Sequence, residues 1–167
     1  MGSLPETTKL QYTWVLWYHD PENKDYSLDS YIKVADFSTP QQFWTVVDAI
    51  PREAWECGMF FFMRRGFKPI WECPENEAGG AWSKKVEAAN AHTSFIDLMV
   101  HSIANELLIN RKETLSGLSI SPKGQFHIIK IWNTTTSVSE KSYLNPKLTY
   151  FKVTDDVTYT AHKSRAK

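Results

Sequence analysis

The sequence predicts an α+β fold, an α/β protein in the broad sense, in which helices of a single domain cover one face of a sheet. Two observations predict it. Stretches of strand and helix period follow one another as strands, helix, strand pair, helix and strand pair, an order that suits one sheet carrying a helical layer. The 167 residues, 42% apolar and 23% charged, are enough for one core without disulfides or a structural metal. With no internal repeat and no low-complexity segment, the predicted domain spans residues 10–162, between a flexible N-terminal segment, 1–9, and a short tail, 163–167.

Leu10 to Tyr18 is rich in aromatic and branched residues and predicts the first strand, closed by the turn-forming His19-Asp20-Pro21-Glu22-Asn23. A polar loop, Asn23 to Asp29, holds Tyr26 and leads to a short strand from Tyr31 to Val34. The clearest helix start follows, with Thr39 as N-cap, Pro40 at the first helical position and Gln42 placed to close a capping box. Phe43, Val46, Val47 and Ile50 form its buried stripe and Pro51 ends it. Trp44 stands about 100° round from Phe43, at the border of that stripe or outside it, where a large aromatic points to a partner.

Gly58–Arg64 and Phe67–Glu72 read as two strands of a hairpin joined at Arg65-Gly66, with a loop from Cys73 to Trp82 after them. A second helix is predicted from Ser94 to Ile109, with Phe95, Leu98, Met99, Ile103 and Leu107 inward and Ser94 and Asp97 as its cap. Leu118–Ile120 and Phe126–Trp132 read as strands around the turn Ser121-Pro122-Lys123-Gly124-Gln125, and Asn133–Asn145 as a loop.

The chemistry concentrates in aromatics and a few charges. Trp71 is followed directly by Glu72, and an indole beside a carboxylate can stack on a flat cationic ring while accepting hydrogen bonds from its edge. In Phe126–Trp132 the period of two puts Lys130 and Trp132 on one face, about 7 Å apart, an ammonium beside an indole that suits a base carrying phosphates. Among the seven tryptophans, Trp14, Trp17, Trp55 and Trp82 are expected to pack in the core or at its edge.

Other classes are disfavoured. Nineteen basic and nineteen acidic residues cancel, so a long phosphate backbone gripped by bulk charge is not expected, and any bound anion is small and locally held. Gly117-Leu118-Ser119-Ile120-Ser121 lacks the second glycine of a nucleophile elbow, and Pro122 denies it a helix. His19, His92, His101, His127 and His162 show no metal-ligand spacing, Gly79-Gly80 has no following lysine, and Cys57 and Cys73 form no C-x-x-C pair. The expectation is a binding protein rather than an enzyme, with no cofactor, no metal and two buried or half-buried free thiols. The longest apolar run, Gly58 to Met63, is too short for a membrane helix. Glu6 breaks a myristoylation signal, no secretory stretch is present, and the reading is cytoplasmic, with Asn133-Thr134-Thr135 an incidental glycosylation match.

Four stretches carry a resemblance to a known family: Thr13-Trp14-Val15-Leu16-Trp17-Tyr18; Asp36-Phe37-Ser38-Thr39-Pro40-Gln41-Gln42-Phe43-Trp44; Gly66-Phe67-Lys68-Pro69-Ile70-Trp71-Glu72 with Gly79-Gly80-Ala81-Trp82; and Ile129-Lys130-Ile131-Trp132. In this order, over roughly Leu10 to His162, the chain resembles the translation initiation factor 4E family, the eukaryotic messenger-RNA cap-binding proteins. The resemblance implies a curved antiparallel sheet with helices on its convex face and the 7-methylguanosine triphosphate cap of an mRNA, possibly methylated further, on its concave face. It implies a role in translation initiation, recruiting capped mRNA to a scaffold initiation factor of the 4G family. The alternative is a cap-binding repressor or storage protein that does not recruit the ribosome.

Residue by residue, Trp71 matches a stacking indole, Glu72 the carboxylate that reads the guanine edge, and Trp132 the indole near the methyl group. Tyr26 falls, with a one-residue gap, on the second stacking position, with His19, Tyr18 and Tyr31 as substitutes. Lys123 stands where the family has a phosphate-binding arginine. A phosphate-binding lysine aligns with Ile128, leaving Lys130 to take that role, and Ala81 replaces an arginine common near the phosphates. Asn133–Asn145 is too short for a helix usual in the family, which implies a more open phosphate end or an unusually modified cap. On the convex face Trp44 matches the tryptophan that receives a helical motif from the scaffold or from repressors, with Pro40 one turn before it and Thr8 to Leu10 alongside. Asp97 and His101 stand where the family is apolar, which implies a divergent partner.

Overall fold

The computed structural model describes residues 9–165, with the side chains of residues 164 and 165 left aside. Its strands are β1 (Trp14–His19), β2 (Ile32–Phe37), β3 (Met59–Arg64), β4 (Gly80–Glu87), β5 (Leu115–Lys123), β6 (Phe126–Asn133) and β7 (Thr158–Ala161). Its helices are α1 (Pro40–Ala49), α2 (Arg52–Cys57), α3 (Pro74–Glu77) and α4 (Ala88–Ile103). The strands form one antiparallel sheet in the order β2-β1-β3-β5-β6-β4-β7. Register breaks at Leu16/Trp17 and Leu115/Gly117 help to curve it.

Strand alternation divides the molecule into two faces. Trp14 and Leu16 of β1, Phe60 and Phe62 of β3, Leu118 and Ile120 of β5, Ile129 and Ile131 of β6, and Trp82 and Val86 of β4 pack on the convex side with Phe43, Val47, Trp55, Phe95, Leu98 and Met99 of the helices. Trp14 lies flat on Phe62, ring centres 4.9 Å apart. The concave side holds a smaller cluster, Phe61, Met63, Ala81 and Trp132, flanked by Trp17, Tyr31, Met59, Phe67 and Trp71. As expected, Trp14, Trp55 and Trp82 are core residues and Trp17 packs at the edge of the concave cluster.

The start of α1 follows the sequence, with one difference. Thr39 Oγ1 accepts the Gln42 N–H at 3.2 Å, but Gln42 Oε1 reaches back to the N–H of Ser38, at 2.7 Å, rather than to that of Thr39. Pro51 ends α1 and at once opens α2, which the sequence reading passed over; its Trp55 packs on Phe60 at 4.4 Å.

Several expectations are corrected. Phe67–Glu72 is no strand: β3 already pairs with β1 and β5, so neither of its edges is free for a hairpin partner. Gly66, at φ 97°, turns the chain away and Pro69 lacks a ladder donor, so the segment leaves the sheet. β1 begins at Trp14 rather than Leu10 and runs on through His19, which pairs with Met59. Helix α4 begins at Ala88 and ends at Ile103, where Asn105, at φ 57°, breaks it; Ser94 is buried within it rather than capping it, and Leu107 is buried beyond it. β5 extends through Pro122, leaving a two-residue turn at Gly124-Gln125 with Gly124 at φ 79°. Strands β4 and β7 and the short α3 are additions. Cys57 is exposed, contrary to the expected burial, and Cys73 is half-buried; both are free.

Candidate ligand cleft on the concave face

A cleft of about 180 Å³ opens on the concave side, lined by Tyr26, Tyr31, Met59, Phe61, Pro69, Ile70, Trp71, Glu72, Ser119, Ser121, Lys130 and Trp132. Five of the six residues expected to hold the cap, Tyr26, Trp71, Glu72, Trp132 and Lys130, therefore meet in one place. Lys123 does not. It sits opposite Phe126 at the far end of the hairpin, four residues along β6 from Lys130, or about 13 Å.

Each wall is positioned by identifiable contacts. Trp132 projects from β6, is 6% exposed, and donates its indole N–H to Ser119 Oγ at 3.0 Å, so it is a fixed surface. Trp71 and Glu72 ride on the irregular segment between β3 and β4. That segment is tied by Asn76, fully buried in α3, whose Nδ2 donates to the Lys68 carbonyl at 2.7 Å and the Ile70 carbonyl at 2.8 Å. His162 fills the space between the two indoles, 6.4 Å from Trp71 and 5.0 Å from Trp132. The Gly79-Gly80 pair is structural: a Cβ on Gly79 would stand 1.9 Å from the Asn133 carbonyl oxygen, so only glycine lets the chain pass there.

Tyr26 lies 47% exposed on the β1–β2 loop, stacked on the His19 ring at 4.7 Å. Of the substitutes weighed for it, Tyr31 lines the cleft and His19 lies behind Tyr26, while Tyr18 faces the other side, edge-on to Phe60 at 5.4 Å. Burial, with the charge of Glu72 beside it, pushes the Tyr31 phenol up to about 12, so it remains a neutral hydrogen-bond donor at the floor of the site. Glu72 stands exposed at the rim rather than buried.

Lys130 sits between Ser119 of β5 and Ser83 of β4, and the rung continues to Thr158 of β7. A second hollow adjoins this end of the cleft, lined by Ser83, Lys84, Lys85, Ile128, Asp156 and Thr158. Lys85 pairs with Ile128, the position two before Lys130, and so extends the basic end of the site. The sequence reading ends its loop at Trp82 and assigns nothing to Ser83–Glu87, so Lys85 was missed; the run Trp82-Ser83-Lys84-Lys85-Val86 gives its face only once the strand is known.

On the convex side Trp44 is 42% exposed and set edge-on to Phe43 at 5.0 Å. Pro40 opens the same helix, and the Leu10 N–H donates to the Ser38 carbonyl at 2.8 Å, which brings Leu10 to that end of α1. Thr8 lies outside the described residues. Asp97 and His101 are half-buried on α4, with 3.6 Å between Asp97 Oδ1 and His101 Nδ1. Among the described residues no group of three metal-ligating side chains occurs, and no helix is long and apolar enough to cross a membrane. Ser119 and Ser121 lie within β5, away from any strand-to-helix turn.

An antiparallel sheet with helices on one face and an aromatic cleft carrying a carboxylate and an ammonium on the other has the shape and chemistry that suit a flat, charged, anion-bearing ligand. The family model described as eukaryotic initiation factor 4E matches residues 9–167, and the chain belongs to that family. Eukaryotic translation initiation factor 4E-2 of Schizosaccharomyces pombe is 25% identical over 173 residues, 97% of this chain and 70% of that protein. Eukaryotic translation initiation factor 4E-4 of Caenorhabditis elegans is 29% identical over 135 residues, 75% of this chain and 61% of its own length. The fold is shared with C. elegans eIF4E-3 in complex with the 4E-binding protein Mextli and cap analogue, at TM-score 0.81 and 19% identity over 95% of both chains. It is also shared with Ascaris suum eIF4E-3 in complex with m7G cap, at TM-score 0.68 and 23% identity over 76% of this chain and 73% of that one.

Proposed function

We propose that this chain binds the 7-methylguanosine cap of messenger RNA and acts in translation initiation, in the cytoplasm, by bringing capped mRNA to a scaffold initiation factor of the 4G family. The observation that carries the reading is the meeting of Tyr26, Trp71, Glu72, Trp132 and Lys130 in one cleft. N7-methylation gives the purine a delocalised positive charge, so its stacking between the faces of Trp71 and Tyr26 gains a cation-π contribution that unmethylated guanine lacks. The Glu72 carboxylate accepts the N1 and N2 hydrogens of the guanine edge, which adenine cannot supply in the same pattern. Trp132 closes the end near the methyl group and Lys130 meets the phosphates.

No step in this reading breaks a covalent bond, and cap analogue incubated with the protein is expected back unchanged. The same reading gives the convex surface around Trp44, Pro40 and Leu10 to a helical motif of the scaffold or of a competing repressor. Family membership and the fold shared with cap-bound relatives support both assignments.

Titration of intrinsic tryptophan fluorescence with 7-methylguanosine triphosphate and with GTP tests the site. Strong quenching by the methylated nucleotide alone is expected. An equal response to both would refute the reading.

A further inference from the structure

The second stacking wall is a tyrosine on a loop, and something must hold it upright. Tyr26 is 47% exposed, and its segment has little regular structure: three side-chain-to-backbone turns, Asp20 to Glu22, Asn23 to Asp25 and Asp25 to Ser27, shape it locally without fixing it to the sheet. The tie to the sheet is His19, the last residue of β1, paired with Met59 of β3 and itself fully buried.

His19 makes three contacts at once. Its Nε2 lies 2.7 Å from the Asp25 carbonyl oxygen, one residue before Tyr26. Because a carbonyl only accepts, Nε2 carries the hydrogen. Nδ1 is buried without a hydrogen-bond partner, so the bond to Asp25 is the polar tie of the ring. One face of the imidazole stacks on Tyr26, centres 4.7 Å apart and planes within 12° of parallel. It also leans on Tyr31 at 4.6 Å, and Tyr31 in turn meets Phe61 edge-on at 5.2 Å. His19 does not line the cleft, whereas Tyr26 does, so the imidazole backs Tyr26 from the side away from the ligand.

We propose that His19 is the positioning residue of the Tyr26 wall: strand β1, the imidazole, the phenol ring, the ligand base and Trp71 form one layered stack anchored in the sheet. The inference rests on the proposed cap site and assigns a role to a residue that does not touch the ligand. In this arrangement the loop reaches the ligand already ordered, so binding does not have to supply the ordering entropy of a free tyrosine.

The test measures affinity for 7-methylguanosine triphosphate in the wild type, His19→Ala, His19→Phe, Tyr26→Ala and the His19→Ala/Tyr26→Ala double variant, with thermal unfolding to confirm that each is folded. A cation-π wall accounts for roughly thirtyfold in affinity, so Tyr26→Ala and His19→Ala are each expected to weaken binding by about that factor. The double variant is expected to be no weaker than Tyr26→Ala alone, because without the phenol the imidazole has nothing to position. His19→Phe keeps a ring under Tyr26, gives up only the bond to Asp25 and is expected within about fivefold of wild type; if His19→Ala does not fold, His19→Leu, which fills the buried space without a ring, takes its place with the same expected loss as His19→Ala. Losses that multiply in the double variant, or a ring-less His19 variant that matches the wild type, would overturn the inference while leaving the cap site standing. A wild type that does not discriminate the methylated nucleotide would overturn the proposed function, and this inference with it.

Discussion

Asn76→Ala offers the sharpest test of how the cleft is assembled, because Asn76 touches none of the proposed ligand and yet holds the segment that presents Trp71 and Glu72. Both hydrogens of its buried amide are used, on the Lys68 carbonyl at 2.7 Å and the Ile70 carbonyl at 2.8 Å. Each such bond contributes about 1 kcal/mol net, so alanine weakens the closed segment by about 2 kcal/mol, a factor of roughly thirty in its opening equilibrium. Apparent affinity falls by the fraction of molecules that leave the competent state. That makes thirtyfold an upper bound, and about tenfold is expected for 7-methylguanosine triphosphate by fluorescence titration. The sheet should be unaffected, since Asn76 lies in α3, outside every strand pairing, so far-ultraviolet circular dichroism is expected to match wild type. An affinity within twofold of wild type would refute the idea that this amide sets the position of the Trp71 wall.

Four further outcomes follow from the same geometry. Trp44→Ala removes an indole that is 42% exposed on the helical face and is expected to abolish pull-down of a scaffold-derived helical peptide while cap affinity stays unchanged; loss of cap binding would contradict the division of faces. Lys130→Ala is expected to weaken the triphosphate ligand by about tenfold and the nucleoside little, whereas Lys123→Ala leaves both alone; the reverse order by titration would return the phosphates to the hairpin turn. Trp14→Ala, which empties a fully buried site stacked on Phe62, is expected to cost about 3–5 kcal/mol by urea unfolding. Burial lowers the pKa of His92 and of His127, so the unfolded chain binds more protons, and stability should fall as pH drops through the unfolded value of about 6.5; a melting temperature unchanged between pH 7.5 and 5.5 would contradict it.

What the sequence disclosed depended on whether the signal was local. Thr39-Pro40 starts a helix because the threonine side chain and the ring geometry act within one turn, and β6 gave its two faces correctly because His127, Ile129 and Ile131 go to the core while Lys130 and Trp132 do not. The Phe67–Glu72 segment looked like a strand by composition, but a hairpin partner needs a free edge on the strand before it, and the order of the sheet, set by residues far away, leaves β3 none. β4 failed the other way: Ser83, Lys84 and Lys85 interrupt its apolar alternation, and pairing with β6 and β7 supplies what the pattern lacks. Of the cleft residues, Trp71 with Glu72 and Lys130 with Trp132 were legible in the residues themselves, as an indole beside a carboxylate and an ammonium sharing a strand face with an indole, whereas the stacking position of Tyr26 came from the resemblance. Lys123 stood apart from them because a hairpin's length, and so the height of its turn above the cleft, is a property of pairing rather than of any single residue.

The alternation of β1 explains how the two proposed binding surfaces coexist on a domain this small. Trp14 and Leu16 point into the helical core that supports α1 and Trp44, while Trp17 and His19, one step out of phase, point to the cleft side. A single strand therefore serves both surfaces with separate sets of side chains, and its backbone is hydrogen-bonded on both edges, to β2 and β3. Coupling between the two faces would need a movable element linking them. The sheet between them is close-packed on its convex side, with Leu16 and Phe62 fully buried, so a shift at Trp44 has no slack through which to reach Tyr26. The loop that follows β1 is different: it is anchored through the His19 imidazole and is otherwise largely exposed, so of the two proposed stacking walls the Tyr26 side is the more easily displaced and the one in which substitutions should tune affinity.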